Sequence, residues 1–321
     1  MKTAQTLNHF TQIDHCSTEQ LQAVIDLALA VAANPAGFDG RLRGGLVVNL
    51  FYEASTRTRV SFEVAAKRLG MHVVNISSVG SSVEKGESLL DTFDTLQAMK
   101  PDFLVVRHPQ EGAADELAAR AESGTHVINA GDGTGSHPSQ ALLDAVTLIQ
   151  HFGDLSGIKV LLAGDIRHSR VARSSVALLR RLGVGEIRLA GPVDFLPGEK
   201  TLAGASVFND LDAAMADVDA VMMLRIQKER ISGLNIPAAD DYHLNWGLTP
   251  ARLARAAPGC QVLHPGPMNR GVEIASEVAD GSHSMIRRQV RNGLHTRMAL
   301  LLSLAAAAST HSSFGEIDRT G

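Results

Sequence analysis

Short apolar runs alternate with segments of helical period along most of the chain. Leu46-Val47-Val48-Asn49-Leu50-Phe51 reads as a buried strand, and residues 55–69 carry apolar positions at helical spacing. Ahead of them, Ser17-Thr18-Glu19-Gln20 has the spacing of a capping box, followed by Leu21, Val24, Ile25 and Ala28 on one helical face. Further strands are predicted at 73–76, 102–108 and 126–129, with helices at 88–99 and 138–152. The alternation restarts with a strand at 157–165 and a helix at 171–182, then strands at 186–190, 206–208 and 220–224. Residues 235–246 read as an irregular polar loop, Thr249-Pro250 as the cap and first turn of a short helix, and 284–308 as a long closing helix. Strands alternating with helices predict an α/β fold whose central sheets are mainly parallel and flanked by helices.

With 321 residues the chain exceeds what one compact core usually absorbs, so two domains are expected. A net charge of −4 offers no general attraction to nucleic acid or to an anionic membrane, and any anion site must be a local cluster of basic residues. The two cysteines, Cys16 and Cys260, exclude a disulfide framework and an all-cysteine zinc site, and both read as small buried hydrophobes. The N-terminus has no apolar leader region and the longest apolar run, 298–308, is too short to span a bilayer, which predicts a soluble cytoplasmic protein.

The chemistry concentrates where the first strand hands over to its helix. Ser55-Thr56-Arg57-Thr58-Arg59 places three hydroxyls and two guanidinium groups in one turn, where unsatisfied backbone N–H groups and the helix dipole favour an anion. Ser55 could instead be a simple cap with both arginines in solvent, a reading with which five consecutive donors compete. There is no Gly-x-x-x-x-Gly-Lys, so a small phosphate compound fits the turn better than a nucleoside triphosphate. No Gly-x-Gly-x-x-Gly follows the later strand either, which argues against a dinucleotide.

Other candidates stand at strand ends. Arg107 closes a buried strand at the end where ligands of open α/β sheets bind, though it could equally pair with a surface carboxylate. Ser136-His137-Pro138-Ser139-Gln140 opens a helix that Ser136 could cap. His137 and Gln140 then share a face near the positive helix end, where a neutral histidine donor is expected. Arg170 starts another helix after a strand, and Arg225 and Gln227 lie on one side of an extended segment, an arginine fork suiting a carboxylate and a glutamine an amine.

The run Phe51-Tyr52-Glu53-Ala54-Ser55-Thr56-Arg57-Thr58-Arg59-Val60-Ser61-Phe62-Glu63 resembles the carbamoyl-phosphate signature of the aspartate and ornithine carbamoyltransferases. Arg225-Ile226-Gln227-Lys228-Glu229-Arg230 and His264-Pro265-Gly266-Pro267 resemble the aspartate branch, the ornithine enzymes having a His-Cys-Leu-Pro run instead. Gly266 departs from those family members that carry leucine there. The resemblance implies a carbamoyl-phosphate domain over 1–149, completed by a returning helix at 293–321, and an aspartate domain over 150–292, joined by bridging helices. It also implies carbamoyl transfer to L-aspartate as a step of pyrimidine synthesis, with no cofactor and no metal. Phosphate binding would fall to Ser55, Thr56, Arg57, Thr58, Ser81 and Lys85, and the carbamoyl group to Thr58, Arg107, His137, Gln140, Pro265 and Gly266. Aspartate would be held by Lys85, Arg170, Arg225, Gln227, Gly266 and Pro267. Ser81 and Lys85 lie in a polar loop over 77–87 that by itself reads as merely mobile. In the family this loop reaches a neighbouring subunit, which implies a homotrimer with shared sites and leaves open a larger assembly with a dihydroorotase-like or regulatory chain. Transfer to another amine such as ornithine, or an inactive homologue serving as a scaffold, stand as the alternatives.

Overall fold

The computed structural model describes residues 7–77, 86–198, 204–227 and 238–311. Two compact units divide the chain: Met1–Gly133 with Gly293–Gly321, and Thr134–Asn292.

In the first unit, the strands β1 (Leu46–Phe51), β2 (His72–Ser77), β3 (Phe103–His108) and β4 (His126–Asp132) form a parallel sheet in the order β2-β1-β3-β4. The helices are α1 (Thr18–Ala33), α2 (Thr56–Arg68), α3 (Leu89–Gln97) and α4 (Ala113–Arg120). The capping box of α1 is complete: Ser17 Oγ accepts from the Gln20 amide at 3.2 Å, and Gln20 Oε1 accepts from the Ser17 amide at 2.8 Å. Val48, Leu50, Leu104, Val106 and Val127 of the sheet pack against Phe93 and Leu96 of α3 and Leu117 of α4. Each such side chain contributes about 1.5–3 kcal/mol relative to exposure. Phe10 bridges to Ile128 in parallel and so covers the free edge of β4.

The second unit holds α5 (Pro138–Phe152), β5 (Lys159–Gly164), α6 (Arg170–Arg181), β6 (Glu186–Ala190), β7 (Ser206–Phe208), α7 (Leu211–Ala214), β8 (Ala220–Leu224), α8 (Ala239–Trp246), α9 (Pro250–Leu253), β9 (Gln261–Leu263) and α10 (Ser276–Ala279). Its sheet is parallel in the order β7-β6-β5-β8-β9. β5 is buried on both faces, which its unbroken apolar run requires: Val160 and Leu162 join Val176 and Leu179 of α6, while Leu161 and Ala163 join Leu211 and Ala214 of α7. Gly164 ends β5 at φ +129°, where a Cβ would stand 2.1 Å from the Leu224 carbonyl oxygen, so only glycine lets β5 and β8 approach. The long helix α11 (Ile286–His311) runs from the second unit into the first, within which Arg297 lies 5.0 Å over the Phe62 ring of α2.

Two local expectations are corrected. Residues 239–246, read as irregular loop, form α8, because Tyr242 is buried against Phe195 and Ile226 and the turn carries Asp240 and Asp241 at its start and His243 near its end. Ser136 is not the cap of α5; His137 occupies the N-cap position without a side-chain cap bond, and Ser136 Oγ pairs with Ser174 Oγ at 3.1 Å.

Candidate active site

In the first unit the Ser-Thr-Arg-Thr-Arg turn is the start of α2. Ser55 is extended at its N-cap, and its hydroxyl accepts from the Thr58 amide at 3.4 Å. No acid stands in the first turn, so the positive helix end is not offset there. Thr58 is buried beneath it, in line with Phe62, Ala65 and Ala66 on the inner face of α2, while Thr56 and Arg57 are exposed.

Sheet register delivers Arg107 to this turn. Phe51 pairs with Arg107 across β1 and β3, and the Tyr52 amide donates to the Arg107 carbonyl at 2.8 Å. The guanidinium donates through Nη1 to the Ala130 carbonyl at 3.2 Å and sits 3.4 Å from Glu53 Oε2. A carboxylate from the strand-end turn thus fixes the arginine that β3 supplies. His108 stacks edge-on against Tyr52, and burial depresses its pKa against the opposing pull of Glu53, Glu116 and Asp132. Ser81 and Lys85 lie outside the described residues.

In the second unit the candidates gather at the carboxyl ends of adjacent strands, where open α/β sheets bind ligands. Beyond β5, the fully buried Asp165 accepts from the His168 ring at 2.9 Å and from the Gln227 amide at 3.1 Å. It therefore ties the segment after β8, which carries Arg225 and Gln227, to the turn that leads into α6. Ser169 caps α6, accepting from the Ala172 amide at 3.1 Å, and Arg170 is the buried first residue of that helix. Ser174, one turn further, accepts from the His137 amide at 2.9 Å and so fixes the start of α5.

After β9, the turn His264-Pro265-Gly266-Pro267 is held by the His264 ring. Nδ1 accepts from the Gly266 amide at 2.8 Å, which assigns the ring proton to Nε2, 3.1 Å from the buried carboxylate of Glu273. Gly266 adopts φ +69°, a conformation that favours glycine and accounts for the residue standing there. Gln140 is buried and its side-chain NH₂ is committed to Asp144 at 3.0 Å.

Glu53, Asp144, Asp165, Ser174 and Glu273 were not singled out from the sequence as supports. Asp144, one turn after Gln140 in the same helix, was the detectable case. Neither cysteine is in a disulfide and both are buried, and burial pushes the Cys260 thiol up to about 12, which leaves it little thiolate character. Among the described residues no group of three or more His, Cys, Asp or Glu side chains could hold a metal ion. A cavity of about 700 Å³ lined by Pro250, Leu253, Cys260, Val278 and His283 touches none of the candidates.

Residues 8–150 match the family model described as Aspartate/ornithine carbamoyltransferase, carbamoyl-P binding domain, and residues 156–304 match Aspartate/ornithine carbamoyltransferase, Asp/Orn binding domain. The chain belongs to the aspartate/ornithine carbamoyltransferase family. These matches divide the chain between 150 and 156, whereas packing divides it between 133 and 134; α5 goes by sequence with the first part and by contact with the second. The chain is 51% identical over 304 residues to the aspartate carbamoyltransferase catalytic subunit of Gluconobacter oxydans, covering 93% of this chain and 96% of that one. Among solved structures it superposes with a TM-score of 0.81 and 31% identity on aspartate transcarbamoylase from Trypanosoma cruzi in complex with carbamoyl aspartate and phosphate, covering 95% and 99% of the two chains. Ornithine carbamoyltransferase from Thermus thermophilus superposes with a TM-score of 0.82 and 26% identity over 94% and 99%, so backbone similarity alone does not separate the two branches.

Proposed function

We propose that this family member transfers the carbamoyl group of carbamoyl phosphate to the amine of L-aspartate, giving N-carbamoyl-L-aspartate and phosphate in pyrimidine synthesis. The observation that carries the reading is the capped, acid-free first turn of α2 beside the β3 arginine, a cradle suited to a small phosphate whose carbonyl oxygen gains charge during attack. The 51% identity to an aspartate carbamoyltransferase catalytic subunit supports aspartate as acceptor.

Ser55, Thr56, Arg57 and Thr58 hold the phosphate, joined by Ser81 and Lys85. Thr58, Arg107 and His137 donate to the carbonyl oxygen. Gln140 Oε1 and the backbone carbonyls of Pro265 and Gly266 accept from the carbamoyl NH₂. Arg170 and Arg225 take the two carboxylates of aspartate, with Gln227, Gly266 and Pro267 at its amine. The neutral amine attacks the carbonyl carbon, the bond from that carbon to the phosphate oxygen breaks, and the amine proton leaves with the phosphate. No side-chain nucleophile is required, because positioning and fixed positive charge supply the acceleration: two polyanions meet, and the arginines and lysine screen their repulsion. Ser81 and Lys85 are supplied by the neighbouring subunit of a homotrimer in the cytoplasm.

Carbamoyl product formed from L-aspartate and from L-ornithine tests the substrate. Arg57→Ala is expected to lower kcat by ~10²–10³-fold while leaving the unfolding midpoint unchanged, since Arg57 is an exposed side chain. Wild-type kinetics in that variant would remove the phosphate assignment, and preference for ornithine would remove the acceptor.

A further inference from the structure

We propose that Asp144 and Gln289 are positioning residues that set the direction of the acceptors for the carbamoyl NH₂, and thereby the preference for an amide over a ketone at that position. The inference rests on the function proposed above, in which Gln140 and the Pro265 turn accept from that NH₂.

A glutamine amide can present either its oxygen or its NH₂, and the wrong face would set donor against donor. Asp144 makes the choice. A carboxylate only accepts, so Gln140 must turn Nε2 toward Asp144 Oδ1, 3.0 Å away, which leaves Oε1 directed elsewhere and without a hydrogen bond from any described residue. The same Asp144 oxygen accepts from Gln289 Nε2 at 2.8 Å. Gln289 is thereby oriented in turn, and its Oε1 accepts from the His264 amide at 2.9 Å.

From His264 the order of donors and acceptors continues into the turn. The Gly266 amide donates to His264 Nδ1, His264 Nε2 donates to Glu273 Oε1, and the Asn269 amide donates to that same oxygen at 2.5 Å. Asp144 is 2% exposed, Gln289 3%, His264 1% and Glu273 0%, so water does not compete for these bonds. Two buried carboxylates therefore set the directions along the spine: Asp144 orients the side-chain amides of Gln140 and Gln289, and Glu273 receives the Nε2 proton of His264. The spine joins the first turn of α5 to the Pro265-Gly266 turn, two places given separately to the same NH₂. Its members come from residues as far apart as 145 positions, all within the second unit.

A matched pair of unreactive ligands tests this. Phosphonoacetamide carries the amide NH₂, while acetonylphosphonate replaces it with a methyl group and needs no acceptor. Calorimetry on the full chain is expected to show wild type binding the amide more tightly, and Asp144→Ala lowering that preference by about tenfold, the value of one such hydrogen bond. Asp144→Asn puts an amide that can present either its oxygen or its NH₂ where the carboxylate only accepts, so the preference is expected to fall there too, by less than in Asp144→Ala. Gln289→Met, nearly isosteric, gives a second route should Asp144→Ala not fold, and is expected to lower the preference too. A merely structural role would weaken both ligands equally, and an unchanged ratio in the variants, or no preference in wild type, overturns the proposal. Carbamoyl transfer to L-aspartate by the same wild-type preparation keeps that failure distinct from failure of the function itself.

Discussion

Replacing Arg107 by methionine separates what this arginine does for the fold from what it does for the reaction. At 3.4 Å and an effective dielectric near 20, its attraction to Glu53 is about 5 kcal/mol before desolvation. With side chains 13% and 23% exposed, desolvation and screening reduce the net to about 1–3 kcal/mol. The hydrogen bond to the Ala130 carbonyl adds about 1 kcal/mol. The variant should therefore lose about 2–4 kcal/mol of stability. Starting from even ~5 kcal/mol, about four-fifths of the molecules or more remain folded. The role proposed for it, donation to the developing oxyanion, would be worth ~2.7–4 kcal/mol, or ~10²–10³ in kcat. Partial unfolding cannot imitate a loss of that size. The assay is carbamoyl-aspartate formation at saturating substrates, alongside a urea titration. Glu53→Gln is the control: it breaks the same ion pair and should lower the urea midpoint while leaving kcat within about threefold of wild type. Arg107→Met turning over at the wild-type rate, or Glu53→Gln losing as much activity as Arg107→Met, would refute the assignment.

Two further outcomes follow from the fold. Gly164→Ala forces a Cβ to 2.1 Å from the Leu224 carbonyl oxygen at φ +129°, so it should destabilise the second unit by about 2–5 kcal/mol, read as a lowered urea midpoint or loss of soluble protein. His9 is depressed below 6.5, first by burial and then by His126, and its Nδ1 accepts from the Val127 amide. Its neutral form is thus favoured in the folded state, and as pH falls below about 6.5 the unfolded state takes up the proton more readily, so stability is lost. Protection of the Val127 amide, the intrinsic exchange rate over the observed rate at each pH, should fall between pH 7.5 and pH 5.5, and fall less in His9→Asn, whose side chain keeps an acceptor without titrating; an equal loss of protection in both proteins would contradict the linkage.

Local pattern alone determined most of the elements and the turn at which the candidate phosphate residues stand. Apolar runs at strand period, the Ser17 and Thr249 caps and the Ser55 turn depend on neighbours within a few residues, so β1, α1, α2, α5 and α9 were legible before any coordinates. The loop assigned to 235–246 failed over 239–246 because the helix there draws on burial of Tyr242 against Phe195 and Ile226, partners with no local signal. Tertiary structure decided which strand ends are neighbours. The order β5-β8-β9 follows from packing both faces of the sheet, and only that order sets Asp165 against Gln227. Likewise, the Asp144 to Gln289 bond spans 145 residues, and no periodicity can anticipate it, because burial of each helix face, not chain proximity, chooses the partner.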